Sequence, residues 1–579
     1  MKATCLLGVF VLAKALVLAG RDIPLSPWTP WAYLWQDALV ALLFGALDFG
    51  LRRWQWVGWG TYALLVLYTA LNVPVACTLA TPLTWPLLQA ARGPLADSIA
   101  HHVTFANFLR LATVLAAAAG LPIALKRLLP TLPARLRVAA VVVAIVGLPF
   151  GPVAAARVPT LGLDRNVVAV LVTTALPRVV AVDAAGDYRL GPFGNPRGED
   201  LSRYRGAAKG RNVVIIHLES TGARYLRPYG AAEDPMPNLT RLADEAILFD
   251  RAYTVYPETI KSFFGVQCSL HAALDTPSEC YGRDFGPALA TVLRNQGYRT
   301  GLFHSGRFMY LGMDAAVRNR GYDTCEDAGA IGGDHDSSFG IDEPSAVRRI
   351  LRWINDGRAG QHFLVSYLPI AGHHPYAVPE RGPFPEEQDL DRYRNALHYA
   401  DAALGHLMDG LRARGLERET LFVIFGDHGE AFGQHDGNYG HTLFLYEENI
   451  HVPFLIVAPG LTRRERVGRV ASLIDTGPTV LDLLGIPAPQ GYEGRSLLDA
   501  QTRLALFCTD YSLGFLGLRD GRWKFIHELE SGRSRLYDLD DDPQERQDLS
   551  AEHPERTAAY REHLLRWAAA EKYRITHTP

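Results

Sequence analysis

At 579 residues the chain is several times the size of a typical domain, so more than one folded unit is expected, each able to bury a core. A formal charge of -3, with 21 % of residues charged, argues against nucleic acid as a partner, because phosphate backbones demand a basic surface. Mean hydropathy near zero hides a split: residues 1–158 are mostly apolar runs, whereas the rest carries nearly all the acidic residues and most histidines.

Five apolar segments approach the roughly 20 residues that a helix needs to cross a hydrocarbon core: 4–19, 31–51, 54–76, 105–125 and 138–158. Lys14 interrupts the first, which with further spans following at once argues for a retained span rather than a signal peptide. Arg110 lies near one end of the fourth, where it can snorkel. Arg52 and Arg53, then Lys126, Arg127, Arg135 and Arg137, fall in loops that should be cytoplasmic, while the alternate loops hold only Arg21 and Arg92. An odd number of spans then delivers everything after Val158 to the outside.

Residues 159–210 read as a connecting arm, with an apolar stretch at 167–176 and a Gly- and Pro-rich run at 191–198. From Arg211 to about 498, short β-branched runs alternate with helical patterns, which predicts an α/β domain with a mainly parallel sheet. Its clearest strands are 213–218, 300–303, 363–368 and 421–425. Ligands bind beyond the carboxyl ends of such strands, and those ends lead to Glu219, His304, His373 and Asp427-His428. Residues 499–579 predict a small antiparallel subdomain, with strands at 504–507, 517–519, 524–526 and 535–537 and a charged terminal helix.

Cys5 and Cys77 lie in or beside spans; Cys268, Cys280, Cys325 and Cys508 lie beyond them. An oxidising compartment permits disulfides among these four, and Cys268–Cys280 has the shortest spacing of the three possible connectivities' pairs.

Asp427-His428, in Phe425-Gly-Asp-His-Gly-Glu430, offers a carboxylate and an imidazole on a tight turn, a donor set suited to zinc or manganese. Glu219 adds a second carboxylate from another strand end, unless it serves only as a cap or salt-bridge partner. Thr259 precedes a helix expected at 260–272, where N–H groups and the helix dipole favour an alkoxide and a bound anion. The plainer alternative is a helix cap.

The order Glu219, Thr259, His373-His-Pro-Tyr376, Asp427-His-Gly-Glu430 and Tyr439-Gly-His441 resembles the alkaline phosphatase and sulfatase superfamily. Within it the chain looks most like lipoteichoic acid synthases and phosphoethanolamine transferases, which place five spans before an extracytoplasmic catalytic domain. The stretches Glu447-Glu-Asn-Ile-His-Val-Pro453 and Leu536-Tyr-Asp-Leu-Asp-Asp-Asp-Pro543 are similar to sulfatases. The resemblance implies a sulfatase-like α/β/α fold and one divalent metal, manganese or zinc rather than calcium or magnesium. Glu219, Thr259, Asp427 and His428 would bind it, with Thr259 the nucleophile; His373 and His441 would contact the anionic group and His304 would be a further active-site histidine. His374 and His435 are close enough to take these roles instead, and His217, on the strand face of Glu219, is expected to support the ligands from behind. Where formylglycine sulfatases carry Cys or Ser, this chain has Thr259-Ile-Lys-Ser-Phe263, which leans toward phosphoryl chemistry. The implied reaction moves a phosphoglycerol or phosphoethanolamine headgroup from a membrane phospholipid to a glycan or lipid acceptor, at a bacterial plasma membrane with the catalytic domain outside. The competing readings are a membrane-bound sulfatase or phosphodiesterase and, from another class, an inactive binding scaffold.

Overall fold

The computed structural model describes residues 1–578 except 22, 24, 91–101, 129–132, 159, 185, 195–196 and 338. Its N-terminal part is helical: Lys2–Leu18, Thr29–Gly50, Gln55–Leu79, Phe105–Leu128, Ala134–Gly147 and Phe150–Arg157. Thr29–Gly50, Gln55–Leu79 and Phe105–Arg127 are long and apolar enough to cross a membrane, and the protein is membrane-anchored. The first helix has 17 residues, and the fifth expected span is cut at Leu148-Pro149, since proline ends the preceding helix. Lys14 does not merely interrupt an apolar run: its ammonium pairs with Asp37 of the second helix at 2.6 Å, both side chains being buried. Arg110 donates to Asn107 Oδ1 at 2.6 Å rather than simply reaching for water. Arg92 lies outside the described residues.

The expected arm contains the short helix Val167–Thr173, capped by Asn166, whose side chain also donates to Asp37 at 2.7 Å. The arm thus folds back onto the membrane helices.

The strands, in chain order, are β1 Asn212–Leu218, β2 Ile247–Tyr253, β3 Arg299–His304, β4 Thr324–Glu326, β5 Phe363–Leu368, β6 Thr420–Gly426, β7 Ala431–Phe432, β8 Tyr439–Gly440, β9 His451–Val452, β10 Phe454–Val457, β11 Glu465–Ser472, β12 Ala505–Thr509, β13 Phe515–Asp520, β14 Trp523–Glu528 and β15 Ser534–Asp538. The main sheet runs β11-β2-β10-β6-β1-β5-β3-β4, parallel except where β10 pairs antiparallel with β6 and β2, while β9 lies antiparallel on β2. β1 sits centrally and is buried on both faces. Its alternate residues enter two separate cores, Val213 and Ile215 on one side, Val214, Ile216 and Leu218 on the other, as the two-residue strand period requires. Helices Glu343–Asn355 and Asp389–Arg412 cover the second face.

The antiparallel sheet β12-β13-β14-β15 packs with helix Pro554–His577, through Tyr560, Leu564 and Trp567, into the core that also holds Phe264 from helix Thr259–Cys268. That helix is shorter than the sequence predicts. Ser269 ends it in the left-handed region (φ 54°), held by donating to Ile474 O at 2.7 Å. All six cysteines are free thiols, so the expected Cys268–Cys280 bridge is not formed.

One loop ties the units together. Ser512 Oγ lies 2.6 Å from Thr81 Oγ1 and accepts from Arg165 at 2.8 Å, while Arg178 donates to the carbonyls of Asp510 and Ser512 at 2.9 Å each. The Asp510 carboxylate in turn accepts from Tyr256 and faces Lys261 at 3.6 Å, on either side of Thr259.

Candidate active site

Residues just beyond β1 and β6 meet the start of helix Thr259–Cys268. Glu219 follows β1 directly, and Ser220 then turns into the left-handed region (φ 52°), which aims its N–H at Asp427 Oδ1, 3.0 Å away. Asp427 follows β6, and the same Oδ1 accepts the His428 N–H at 2.8 Å. Two glycines allow this closeness: a Cβ on Gly372 would collide with the Glu219 carbonyl oxygen, and one on Gly429 with that of Glu448.

Thr259 is the first residue of its helix and is half-buried. Its hydroxyl donates to Glu219 Oε2 at 3.0 Å and lies 3.4 Å from His428 Nε2. His428 Nε2 is 3.6 Å from both Glu219 Oε1 and Asp427 Oδ2. Ligands about 2.1 Å from one ion stand roughly 3–4 Å apart, and the ligating atoms of Glu219, Asp427 and His428 all lie within 4.8 Å of one another. Asp427 Oδ2 is buried without a hydrogen-bond partner. Burial, and for Glu219 also the neighbouring Asp427 carboxylate, pushes Glu219 and Asp427 up to about 7. Two desolvated carboxylates, one with an orphaned oxygen, beside an imidazole fit a divalent cation.

Four histidines share one device. His428 Nδ1 donates to Gly429 O at 3.0 Å, His373 Nδ1 to His374 O at 2.6 Å, His304 Nδ1 to Leu368 O at 3.0 Å, and His441 Nδ1 to Glu430 Oε2 at 2.7 Å. Each bond fixes the tautomer and leaves Nε2 as the atom for a ligand. Burial holds His428 and His441 down at about 4, so both stay neutral at physiological pH. The His441 ring stacks on that of His428 (centroids 4.1 Å apart) and faces His373 at 6.4 Å.

The neighbours separate clearly. His435 is engaged by Glu448 at 2.7 Å and stacked on Tyr446, and the His374 ring meets Tyr376 edge-on. His304 lies at the end of β3 with its ring stacked on Phe308 and makes no hydrogen bond to the cluster among the described residues. His217 does not support the ligands as expected: both its ring nitrogens are buried without partners, and the ring packs against Phe263 and Phe425.

Sequence reasoning left two carboxylates without roles. Glu430 accepts from both His441 and Tyr376 (2.6 Å), joining the segments that carry His373 and His441. Glu343 accepts from Ser305, Tyr367 and the N–H groups of Ile370 and Ala371, which fixes the loop before His373. Glu430 had a signal, its place in the Asp-His-Gly-Glu run; Glu343 had none. Among the described residues, two other acid–histidine groups, around Glu493 and Glu545, also hold the cations Arg574 and Lys524.

Residues 211–486 match the Sulfatase family model. The chain is similar to Arylsulfatase K of Bos taurus, 34 % identical over 199 residues, covering 30 % of this chain and 36 % of that protein. It is also similar to the lipoteichoic acid synthase-like YvgJ of Bacillus subtilis (strain 168), 25 % identical over 325 residues, covering 53 % and 52 %. The chain thus spans about a third to a half of the length of the curated relatives it matches. Among solved structures, the lipoteichoic acid synthase LtaP from Listeria monocytogenes shares the fold with a TM-score of 0.51 at 20 % identity, covering 66 % of this chain and 97 % of that one. An alkaline phosphatase superfamily protein from Vibrio parahaemolyticus gives 0.54 at 20 % identity, covering 70 % and 95 %.

Proposed function

We propose, from the premise that this chain is a sulfatase-like member of the alkaline phosphatase superfamily resembling lipoteichoic acid synthases, that it moves a phospholipid headgroup to an acceptor through a phosphothreonine at Thr259. The observation that carries this reading is the Thr259 hydroxyl, 3.0 Å from Glu219 and 3.4 Å from His428 at a helix start.

Glu219, Asp427 and His428, with Thr259, would hold a divalent ion of the zinc or manganese kind, which when bound supplies positive charge to acidify the hydroxyl and neutralise a phosphate oxygen. Glu219 Oε2, already accepting from the hydroxyl, is the first station for its proton. Thr259 Oγ1 then attacks phosphorus in line, the bond to the diacylglycerol oxygen breaks, and the proton first taken by Glu219 passes by way of an imidazole Nε2 to that oxygen as diacylglycerol leaves. In the second half an acceptor hydroxyl loses its proton to an imidazole Nε2, attacks the same phosphorus, and Thr259 departs as the alcohol. His373 and His441, with their Nδ1–H groups committed, take up and return these protons at Nε2, and only while protonated there do they donate to the phosphate oxygens.

Headgroups of the phosphoglycerol or phosphoethanolamine kind fit a catalytic domain tied to membrane helices, and a glycan or lipid fits as acceptor. Basic loops at Arg52-Arg53 and Lys126-Arg127 support a multi-pass topology with that domain outside the plasma membrane of a bacterium. We extend the reading to the unit boundaries: 1–158 membrane region, 159–210 arm, 211–498 catalytic domain, 499–579 terminal subdomain.

The similarity to Arylsulfatase K favours a second reading, in which water takes the ester group and the chain is a sulfatase or phosphodiesterase. Radiolabelled phosphatidylglycerol and phosphatidylethanolamine separate the two. Diacylglycerol release with the label on a non-water acceptor supports transfer; free glycerol phosphate, phosphoethanolamine or sulfate supports hydrolysis.

A further inference from the structure

His102 lies just before membrane helix Phe105–Leu128, yet its ring stacks almost parallel on that of His374, with centroids 5.7 Å apart and planes 6° apart. His374 belongs to the wall of the site. Its carbonyl receives the Nδ1–H of His373, and its ring meets Tyr376 edge-on, whose hydroxyl reaches Glu430.

The membrane region holds His102 in place deliberately. The His102 carbonyl accepts from Thr104 N at 3.0 Å and from Asn107 Nδ2 at 2.8 Å, and Asn107 Oδ1 accepts from Arg110 at 2.6 Å. Arg110 is a charge on an apolar helix, which is costly unless it has a task. Here it braces the residue that pins His102.

A second contact brings the membrane region to the other catalytic segment. Gly437, four residues before His441, packs against Ala80, Leu161 and Arg21: a Cβ there would lie 3.3, 3.4 and 3.6 Å from their side chains. Membrane-region residues, joined by Leu161 of the arm, therefore flank both segments that carry the proposed phosphate-facing histidines.

We infer that His102, paired with His374, is a binding residue for the phosphodiester of a bilayer-anchored substrate, and that Asn107 and Arg110 are its positioning residues. Imidazoles donate to phosphate oxygens, and a side chain at the mouth of a membrane helix stands at the depth where a lipid's phosphate lies. A small water-soluble ester has no such requirement. The inference rests on the reading of a lipid donor.

The test uses the full-length chain in mixed micelles carrying phosphatidylglycerol or phosphatidylethanolamine, with lipid capture measured by native mass spectrometry. Thr259→Ala, which cannot turn over, should capture lipid, and adding His102→Ala should cut capture at least five-fold, with His102→Gln restoring part of it. Equal capture by Thr259→Ala with and without His102→Ala overturns the inference, as does absence of lipid capture by Thr259→Ala. In otherwise wild-type protein, His102→Ala and Asn107→Ala should lower the ratio of kcat/KM for lipid over that for bis(p-nitrophenyl) phosphate by about ten-fold. An unchanged ratio counts against the role. Capture without any headgroup transfer by the wild type would defeat the proposed reaction while leaving His102 as a lipid contact.

Discussion

His441 gives its Nδ1–H to Glu430 at 2.7 Å, and Glu430 takes the Tyr376 hydroxyl with its other oxygen at 2.6 Å. Carboxylates behind working histidines typically matter by 10- to 100-fold. Glu430→Gln should therefore lower kcat by about 10- to 100-fold and KM far less, and Tyr376→Phe should have a smaller effect in the same direction. Steady-state kinetics on both variants checks this; wild-type kcat in Glu430→Gln would remove the carboxylate from the mechanism.

Metal affinity should depend steeply on pH. Glu219 and Asp427, raised to about 7 by burial, bind protons below that pH, and a cation must displace them. The apparent dissociation constant for manganese or zinc should rise about ten- to a hundred-fold per pH unit below 7, and flatten above it. Chelated protein titrated with metal between pH 5.5 and about 8 reads this directly. A flat profile would mean that the two carboxylates do not ligate.

Glu447 offers a stability test remote from the chemistry. It meets Lys524 at 3.0 Å and accepts from Tyr253 at 3.1 Å, joining β14 to β2. Burial alone would raise its carboxyl, but Lys524, His451 and Arg519 outweigh that and hold it down at about 2. A depressed carboxylate contributes stability that is fully present above its unfolded value and lost as pH falls through the folded one. Its share should therefore fade between pH about 4.5 and about 2. Glu447→Gln should cost about 2–3 kcal/mol at pH 7, less than a fully broken buried pair because Lys524 keeps Glu545 at 2.7 Å. Thermal unfolding across pH should show the variant and wild type converging in acid.

The central strands were legible because burial on both faces leaves nearly unbroken apolar runs, as in Phe363–Leu368 and Thr420–Gly426. β2 and β11 were not, since half-buried Asp250 and Arg251 in one, and Glu465, Arg466 and Arg469 in the other, which is the edge strand, break the apolar pattern. The residues that cluster as candidate ligands were readable from strand ends and the Asp-His-Gly-Glu run. The different surroundings of His441 and His435 were not, because the two point to different partners only once Glu430, Glu448 and Tyr446 are in place. Glu343 and the His102–His374 stack depend on contacts between distant segments and left no local trace.

The nucleophile decides the account. Full-length protein mixed briefly with phosphatidylglycerol or phosphatidylethanolamine, quenched in acid and digested, should yield a peptide containing Thr259 heavier by one headgroup phosphate, and Thr259→Ala should yield none. An adduct on another residue, or rapid wild-type turnover that persists in Thr259→Ala, would contradict it.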